Sequence, residues 1–315
     1  MHTNVSDLSQ QKFVSVFSGD EFFLRDHRVH GHKVLPGVAY LEMAREAVSH
    51  SLGERAPAGV LSLHNLVWSQ PVRLDAQSDD PVEVEIRIDS PDEHRLAFEI
   101  RARGQQAMCC QGEARWGRET GEPAESLDSL QAAIGGHQLD ADALYRLFDG
   151  MGIDYGLGHR SVQALRVDGG QVLARIALPH ALRSGHERFV LHPSLMDGAL
   201  QATVGLLVAD QLDQGAAPEL KQTWVPFSLT RLQLGSAELG EQIWAWVRPC
   251  ADHAEAGQST FDIDLYNQRG EHCAALRALA LRVMKTPSPL ETMLDDRSER
   301  DCYLVEKWRR IRPRT

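Results

Sequence analysis

Apolar residues recur at helical spacing after Pro36, at Val38, Leu41, Ala44, Ala47 and Val48. Proline suits a first helical turn, where its missing N–H is not needed, so the pattern predicts a helix over Pro36–Val48. A second proline, Pro193, opens a run to Ala209 that is apolar nearly all round. That is the mark of a buried helix, and the lone Asp197 inside it is conspicuous. After each of these segments the period changes to two. Val82–Asp89 alternates apolar and charged residues, as a half-buried antiparallel strand does. Arg95–Arg103 and Met108–Trp116 read as its partners, with turns at Ser90-Pro91-Asp92 and Arg103-Gly104.

The second half repeats the plan. Val172–Leu178 precedes its helix; Gln222–Leu234, Gln242–Arg248, Ser259–Asn267 and His272–Val283 follow it. Asn267–Gly270 has hairpin-turn chemistry. Residues 117–139 are polar, rich in Gly, Glu and Ser and without a strand period, so they read as a linker. A short amphipathic helix is expected over 140–151. The sketch is an α+β chain of two similar units, 1–116 and 140–285, each a buried helix with an antiparallel sheet, followed by a polar tail over 286–315.

Composition narrows the class. The 315 residues are 43% hydrophobic and 24% charged, which fits a globular chain of about two domains. Lys plus Arg is 33 and Asp plus Glu 44, a net charge of −11. An acidic balance argues against nucleic acid as a partner and against docking on an anionic membrane. No apolar run approaches the ~20 residues of a membrane span, and the start has no signal-peptide pattern. Five cysteines, an odd number with no CxxC pair, fit a reducing cytoplasm without disulfides or a zinc site. Fourteen histidines are many for this length, and three of them fall within six residues.

Three constellations could carry chemistry. The first is Asp26–Gly37, with His27, His30 and His32. Spacings of three and two put these rings on no single helix or strand face, and no carboxylate or thiolate joins them at ligand spacing, so no metal is expected. The alternatives are a polar loop before a helix and a loop histidine beside free N–H groups at the helix start. In the second case Gly37 N–H is a candidate oxyanion donor, and glycine lets substrate approach the backbone. The second constellation is His192–Gln201. Asp197 and Gln201, at i and i+4, share a helix face. Desolvation in an apolar helix should raise the Asp197 pKa and suit it to donate a proton, with Gln201 orienting it. A buried Asp satisfied by backbone amides accounts for the same residues. The third is Gly152–His159, three glycines around Tyr155, which alone is an ordinary turn.

Together these segments resemble a known family. His27-x3-Gly31-x4-Pro36 is similar to the HxxxGxxxxP signature of polyketide synthase dehydratase domains. His192-Pro193 with Asp197-x3-Gln201 resembles their HPxLLDxxxQ/H signature, and Gly152–His159 their GYxYGPxF motif. Trp224–Leu229, which includes Pro226, is similar to their WxPFSW-type segment. The likeness runs from about residue 13 to 284. The wording around the first motif is most similar to assembly lines served by separate acyltransferases. Two positions depart from the pattern: the motif proline is Leu157 and the motif aromatic is His159.

The resemblance implies a double hotdog fold with one site, to which the first unit brings His27 and the second Asp197. It implies dehydration of a β-hydroxyacyl thioester held on the phosphopantetheine arm of an acyl carrier protein, with no bound cofactor. His27 is then the base, Asp197 the acid and Gly37 N–H the carbonyl donor. Tyr155, Gln201, Gly31, Pro36 and His192 orient the acid or the substrate, and Leu157, His159 and Pro226 line the tunnel. Arg25, Arg28 and Lys33 are candidates for carrier docking. The tail, through Tyr303–Trp308, resembles the lead-in to a reductase-type domain, and a homodimer is expected. Relatives that cyclise to an oxygen ring or shift double bonds, an inactive thioester-binding domain, and a fungal-type aldol cyclase are the competing readings.

Overall fold

The structure, a computed structural model, describes residues 3–7, 10–53, 59–74, 80–92, 95–103, 107–117, 125–250 and 257–284. The first half comprises β1 (Thr3–Asn4), β2 (Gln11–Phe17), α1 (Phe22–Arg25), β3 (His27–Val29), β4 (His32–Val34), α2 (Gly37–Leu52), β5 (Val60–Trp68), β6 (Arg73–Leu74), β7 (Val82–Asp92), β8 (Arg95–Ala102) and β9 (Cys110–Gly117). The second comprises α3 (Leu127–Ala133), β10 (His137–Asp140), α4 (Ala141–Gly150), β11 (Ile153–Tyr155), β12 (Val162–Asp168), β13 (Gln171–Ala177), α5 (Pro193–Gln201), α6 (Val204–Leu207), α7 (Ala209–Asp213), β14 (Trp224–Leu234), β15 (Gln242–Pro249), β16 (Gln258–Asn267) and β17 (His272–Val283).

Among the described residues one antiparallel sheet of thirteen strands runs β1-β2-β7-β8-β9-β5-β14-β17-β16-β15-β13-β12-β10. In its first six strands β5, β7, β8 and β9 pack on α2, and in the other seven β12, β13 and β15 pack on α5, which is the double hotdog arrangement. The halves fuse where β5 pairs with β14, in register Leu66 to Leu229 and Leu63 to Leu232. All four of those leucines are buried. The helices α2 and α5 also touch each other. Residues up to Val283 accordingly form one unit rather than two separable ones. A second, four-stranded sheet runs β11-β3-β4-β6.

Three expectations need correction. Residues 125–139, within the stretch expected as a linker over 117–139, are not a linker. Ser126 caps α3 by accepting from Ser129 N–H. Leu127, Leu130 and Ile134 then pack with Leu173 and Tyr266 into a buried cluster, against which Trp244 and Trp246 lean. Only 118–124 of the expected linker fall outside the described residues. The helix expected over 193–209 divides after Gln201. Thr203 bonds the Leu200 carbonyl through both its N–H and its hydroxyl, which tightens the turn and separates α5 from α6. Ser90-Pro91 does not end β7; a register irregularity there carries the strand on to Asp92, opposite Arg95. The 286–315 tail lies outside the described residues, and no described helix is long and apolar enough to cross a membrane.

If α3 is part of the core, Leu130→Ala should cost about 2–4 kcal/mol of unfolding free energy in a urea titration. A change within about 0.5 kcal/mol, the scale of a surface substitution, would return the segment to the status of a tether.

Candidate active site

The hairpin β3–β4 delivers the first histidine. His30 and Gly31 form its turn with φ of 48° and 84°, a left-handed pair for which Gly31 is suited. His27 is buried on β3, and its Nδ1 lies 2.8 Å from the Val34 carbonyl. A carbonyl only accepts, so the ring proton sits on Nδ1 and Nε2 keeps its lone pair. Burial pushes the His27 pKa down to about 4; the charge of Asp197 pulls it back up and His159 adds to the depression. The imidazole is therefore neutral at neutral pH. Just beyond Val34, Pro36 caps α2, which opens with Gly37. Ala39 N–H donates to the Pro36 carbonyl at 2.9 Å, whereas Gly37 N–H, at the first helical position, has no acceptor within the helix. Trp68 Nε1–H donates to the Gly37 carbonyl at 3.0 Å, and a Cβ on Gly37 would come within 3.1 Å of Pro226.

Residues 153–155, expected as part of a turn, are a strand. β11 pairs with β3 and sets Tyr155 opposite His27, their rings 5.5 Å apart. The following loop is fixed by Asp26. Gly156 N–H donates to the Asp26 carbonyl at 2.8 Å and Gly158 N–H to its Oδ2 at 2.9 Å. A Cβ at either glycine would lie 2.7 or 2.6 Å from the Asp26 carboxylate, so only glycine permits this approach. Arg25, a docking candidate, is ion-paired with the same carboxylate.

α5 supplies the carboxyl of Asp197. His192 caps it by accepting from Ser194 N–H through Nδ1, and its ring stacks on Phe22. A ring that accepts at Nδ1 must be neutral, in keeping with a pKa pushed down to about 3, chiefly by burial. Asp197 is 5% exposed. Gln201 Nε2 donates to its Oδ2 at 2.8 Å, and the Tyr145 hydroxyl donates to Gln201 Oε1 at 3.1 Å, which sets the amide's orientation. His159 Nδ1 lies 3.1 Å from the same Oδ2. Here the expectation of a raised Asp197 pKa is reversed. Burial is the largest single influence and does push it up. The hydrogen bond from His159, the pull of the His159 and His27 imidazoles and the Gln201 bond together outweigh it, and Asp197 is held below the usual carboxylate range.

The structure thus brings His27, Tyr155, His159, His192, Asp197 and Gln201 together, with Gly37 and Pro36 on the helix that follows His27. It does not bring His30 or His32 into the group: both are exposed, and His30 Nε2 meets the Thr223 hydroxyl. Two tunnel expectations change. Leu157 is 81% exposed, and His159 is fully buried against Asp197 rather than along a channel. Pro226 covers Gly37 from β14.

Sequence reasoning passed over three residues: Phe22, Tyr145 and Glu42. Glu42, buried on α2, takes a two-pronged bond from Arg45 and accepts from the N–H groups of Val190 and Leu191 at 3.1 and 3.0 Å. It ties the lead-in of α5 to the helix that follows His27. An Arg45 three residues on was its one sequence signal. Among the described residues no group of three His, Cys, Asp or Glu side chains is arranged to hold a metal ion.

Two family profiles match the chain: "Polyketide synthase dehydratase domain" over residues 1–103 and "Polyketide synthase dehydratase N-terminal domain" over 122–291. The chain belongs to the polyketide synthase dehydratase domains. It is 35% identical over 291 residues to polyketide synthase PksM of Bacillus subtilis and 36% identical over 290 residues to ThaG of Burkholderia thailandensis. Each match covers 90% of this chain but only 7% and 5% of those much longer relatives. The fold superimposes on a trans-AT polyketide synthase dehydratase domain from Brevibacillus brevis with a TM-score of 0.79 at 36% identity, covering 90% of this chain and 97% of that one. The likeness puts this dehydratase domain with the trans-acyltransferase type. The RzxB dehydratase domain of Pseudomonas fluorescens follows at 0.75 and 34%, covering 89% and 97% of the two chains. The reaction of such domains in polyketide elongation is dehydration.

The neutral histidines give a pH signature. The unfolded chain takes up protons at His27 and His192 below the ordinary value of 6.5, whereas the folded chain resists until about 4 and about 3. Their contribution to stability is therefore complete above pH 6.5 and is lost as pH falls through that window. His192→Asn keeps a cap acceptor and removes one titrating ring. It should leave the urea midpoint at neutral pH nearly unchanged and make its fall toward about pH 4.5 shallower. A fall as steep as that of the unmodified protein would contradict the assignment.

Proposed function

We propose that this dehydratase domain removes water from a 3-hydroxyacyl thioester, carried on the phosphopantetheine arm of an acyl carrier protein, and yields the α,β-unsaturated thioester. The observation that carries the proposal is the bond from His27 Nδ1–H to the Val34 carbonyl, which leaves Nε2 as a neutral base beside the one carboxyl of α5. His27 Nε2 takes the α-proton, and the electron pair of that C–H bond forms the new C=C bond. The thioester carbonyl, carrying developing negative charge, accepts from Gly37 N–H at the positive end of α2. Asp197 gives its proton to the β-hydroxyl, the C–O bond breaks and water leaves. His27 ends protonated and Asp197 ionised; return of that proton from His27 to Asp197 resets the site.

Asp197 is ionised in the unliganded site and must hold a proton before each turnover. The acyl chain supplies the reason: it displaces water from the carboxyl and increases burial, already the largest upward influence on it. No bound cofactor takes part in these steps. The carrier protein and the neighbouring synthase domains, a reductase-type one beyond the tail among them, are the partners we assign, within a cytoplasmic homodimer.

Intact-mass measurement of a carrier-bound 3-hydroxyacyl chain should register the loss of one water with the unmodified domain. His27→Ala and Asp197→Asn should each lower the rate by about 100-fold or more, the scale of a lost general base or acid. Undiminished turnover in either variant would remove that residue from the mechanism.

A further inference from the structure

Of the motif positions around Asp197, His159 is the one that departs from the family pattern. It stands where that motif has an aromatic ring, and it is fully buried. Its ring is 5.5 Å from that of His27 and 6.1 Å from that of Phe22. Nδ1 approaches Oδ2 of Asp197, the oxygen that Gln201 also holds. Nε2 is buried and has no hydrogen-bond partner among the described residues. A proton placed on Nε2 would be a buried donor without an acceptor, which is costly. The ring therefore carries its proton on Nδ1 and donates it to the carboxylate. The backbone on either side is fixed as well. Gln201 Nε2–H donates to the His159 carbonyl at 3.0 Å, and His159 N–H donates to the Gly156 carbonyl at 3.0 Å.

Both bonds to the Asp197 carboxyl fall on Oδ2, and no protein group among the described residues bonds Oδ1. We propose that His159 is a positioning residue for the acid: with Gln201 it clamps Oδ2 of Asp197, so that Oδ1 alone is presented to the substrate hydroxyl. The proposal rests on the dehydratase reading for what Oδ1 does, and on geometry for the clamp. The clamp has an electrostatic consequence. The groups that face His159 are Asp197 and His192 of α5, His27 of β3 with the adjoining Asp26, Tyr155 of β11, Tyr145 of α4 and the neighbouring Arg160. Of these, Asp197 alone shares a side-chain hydrogen bond with the ring. His159 is thus the first-ranked influence that opposes burial at that carboxyl.

Two variants test this. His159→Phe restores the motif's ring and removes the donor; His159→Asn keeps an amide donor of similar reach. The Asp197 carboxyl is followed by carbon-13 NMR as a function of pH, with Asp197→Asn to assign the resonance, and turnover is followed by intact mass. With His159→Phe burial loses its strongest opponent, so the Asp197 midpoint should rise by about one pH unit or more, and the alkaline limb of the rate profile should move with it. Under the same substitution kcat should fall by about tenfold with KM within about twofold, as for loss of an outer hydrogen-bond partner. His159→Asn should recover kcat to within about threefold of the unmodified domain. A carboxyl midpoint that does not move in His159→Phe overturns the clamp, as does an Asn variant no better than Phe. Should the midpoint move while the unmodified domain dehydrates nothing, the clamp stands and the dehydratase reading falls. Dehydration with an unmoved midpoint overturns the clamp and leaves the dehydratase reading standing.

Discussion

β3 and β11 come from opposite halves of the chain, and their pairing sets Tyr155 across from His27. The rest of the site hangs on this short ladder. It brings the loop that carries His159 alongside the base, and the two bonds that glycine N–H groups make to Asp26 hold that loop in place. On the other side, Glu42 joins α2 to the residues leading into α5. His27 and Asp197 thus sit on separate elements, each tied to the other's half by hydrogen bonds to backbone. Neither half contains both groups: fusing two sheets into one at the β5–β14 seam fixes the distance between His27 and Asp197, the proposed base and acid, which the chain separates by 170 positions.

The electrostatics follow from that burial. Three imidazoles and a carboxyl share a region with little water, where an uncompensated charge is expensive. His27 and His192 meet the cost by staying neutral, each with one ring nitrogen committed to a backbone group, His27 as donor and His192 as acceptor. Asp197 meets it differently, by taking two hydrogen bonds on one oxygen. In the proposed mechanism the domain therefore keeps a ready base and a carboxyl that must be recharged with a proton for each turnover. A site with opposite protonation demands on two groups works when their surroundings differ, and here they differ in the kind of partner each ring or carboxyl has been given.

Much of this was legible in the sequence. The prolines marked both helix starts, alternation from Val82 marked a strand whose end agrees within a few residues, and the strand expected over His272–Val283 is there. The motif spacing singled out His27, Asp197, Gln201 and Tyr155, which the fold does assemble. What was not legible has a common cause: it depends on contacts between distant segments. An apolar helix around Asp197 implies a raised pKa only while no donor is in view, and His159 arrives from 38 residues upstream. The segment over 125–139 has too few apolar residues to look like core until Leu173 and Tyr266 cover Leu127 and Leu130. β11 is three residues long and has no period to detect. Glu42 and Arg45 look like an ordinary surface pair, and their burial follows from the loop at Val190–Leu191 folding over them.

The central claim is that the fold delivers His27 to the site as a neutral imidazole whose proton is on Nδ1 and whose Nε2 is free. Long-range proton–nitrogen correlation NMR of the labelled His27 ring reads this directly, because the two ring nitrogens and the two tautomers have distinct patterns. The account predicts the Nδ1–H tautomer at neutral pH, with no titration until the pH approaches about 4. A ring protonated on Nε2, or one that titrates near the ordinary value of 6.5, would contradict it.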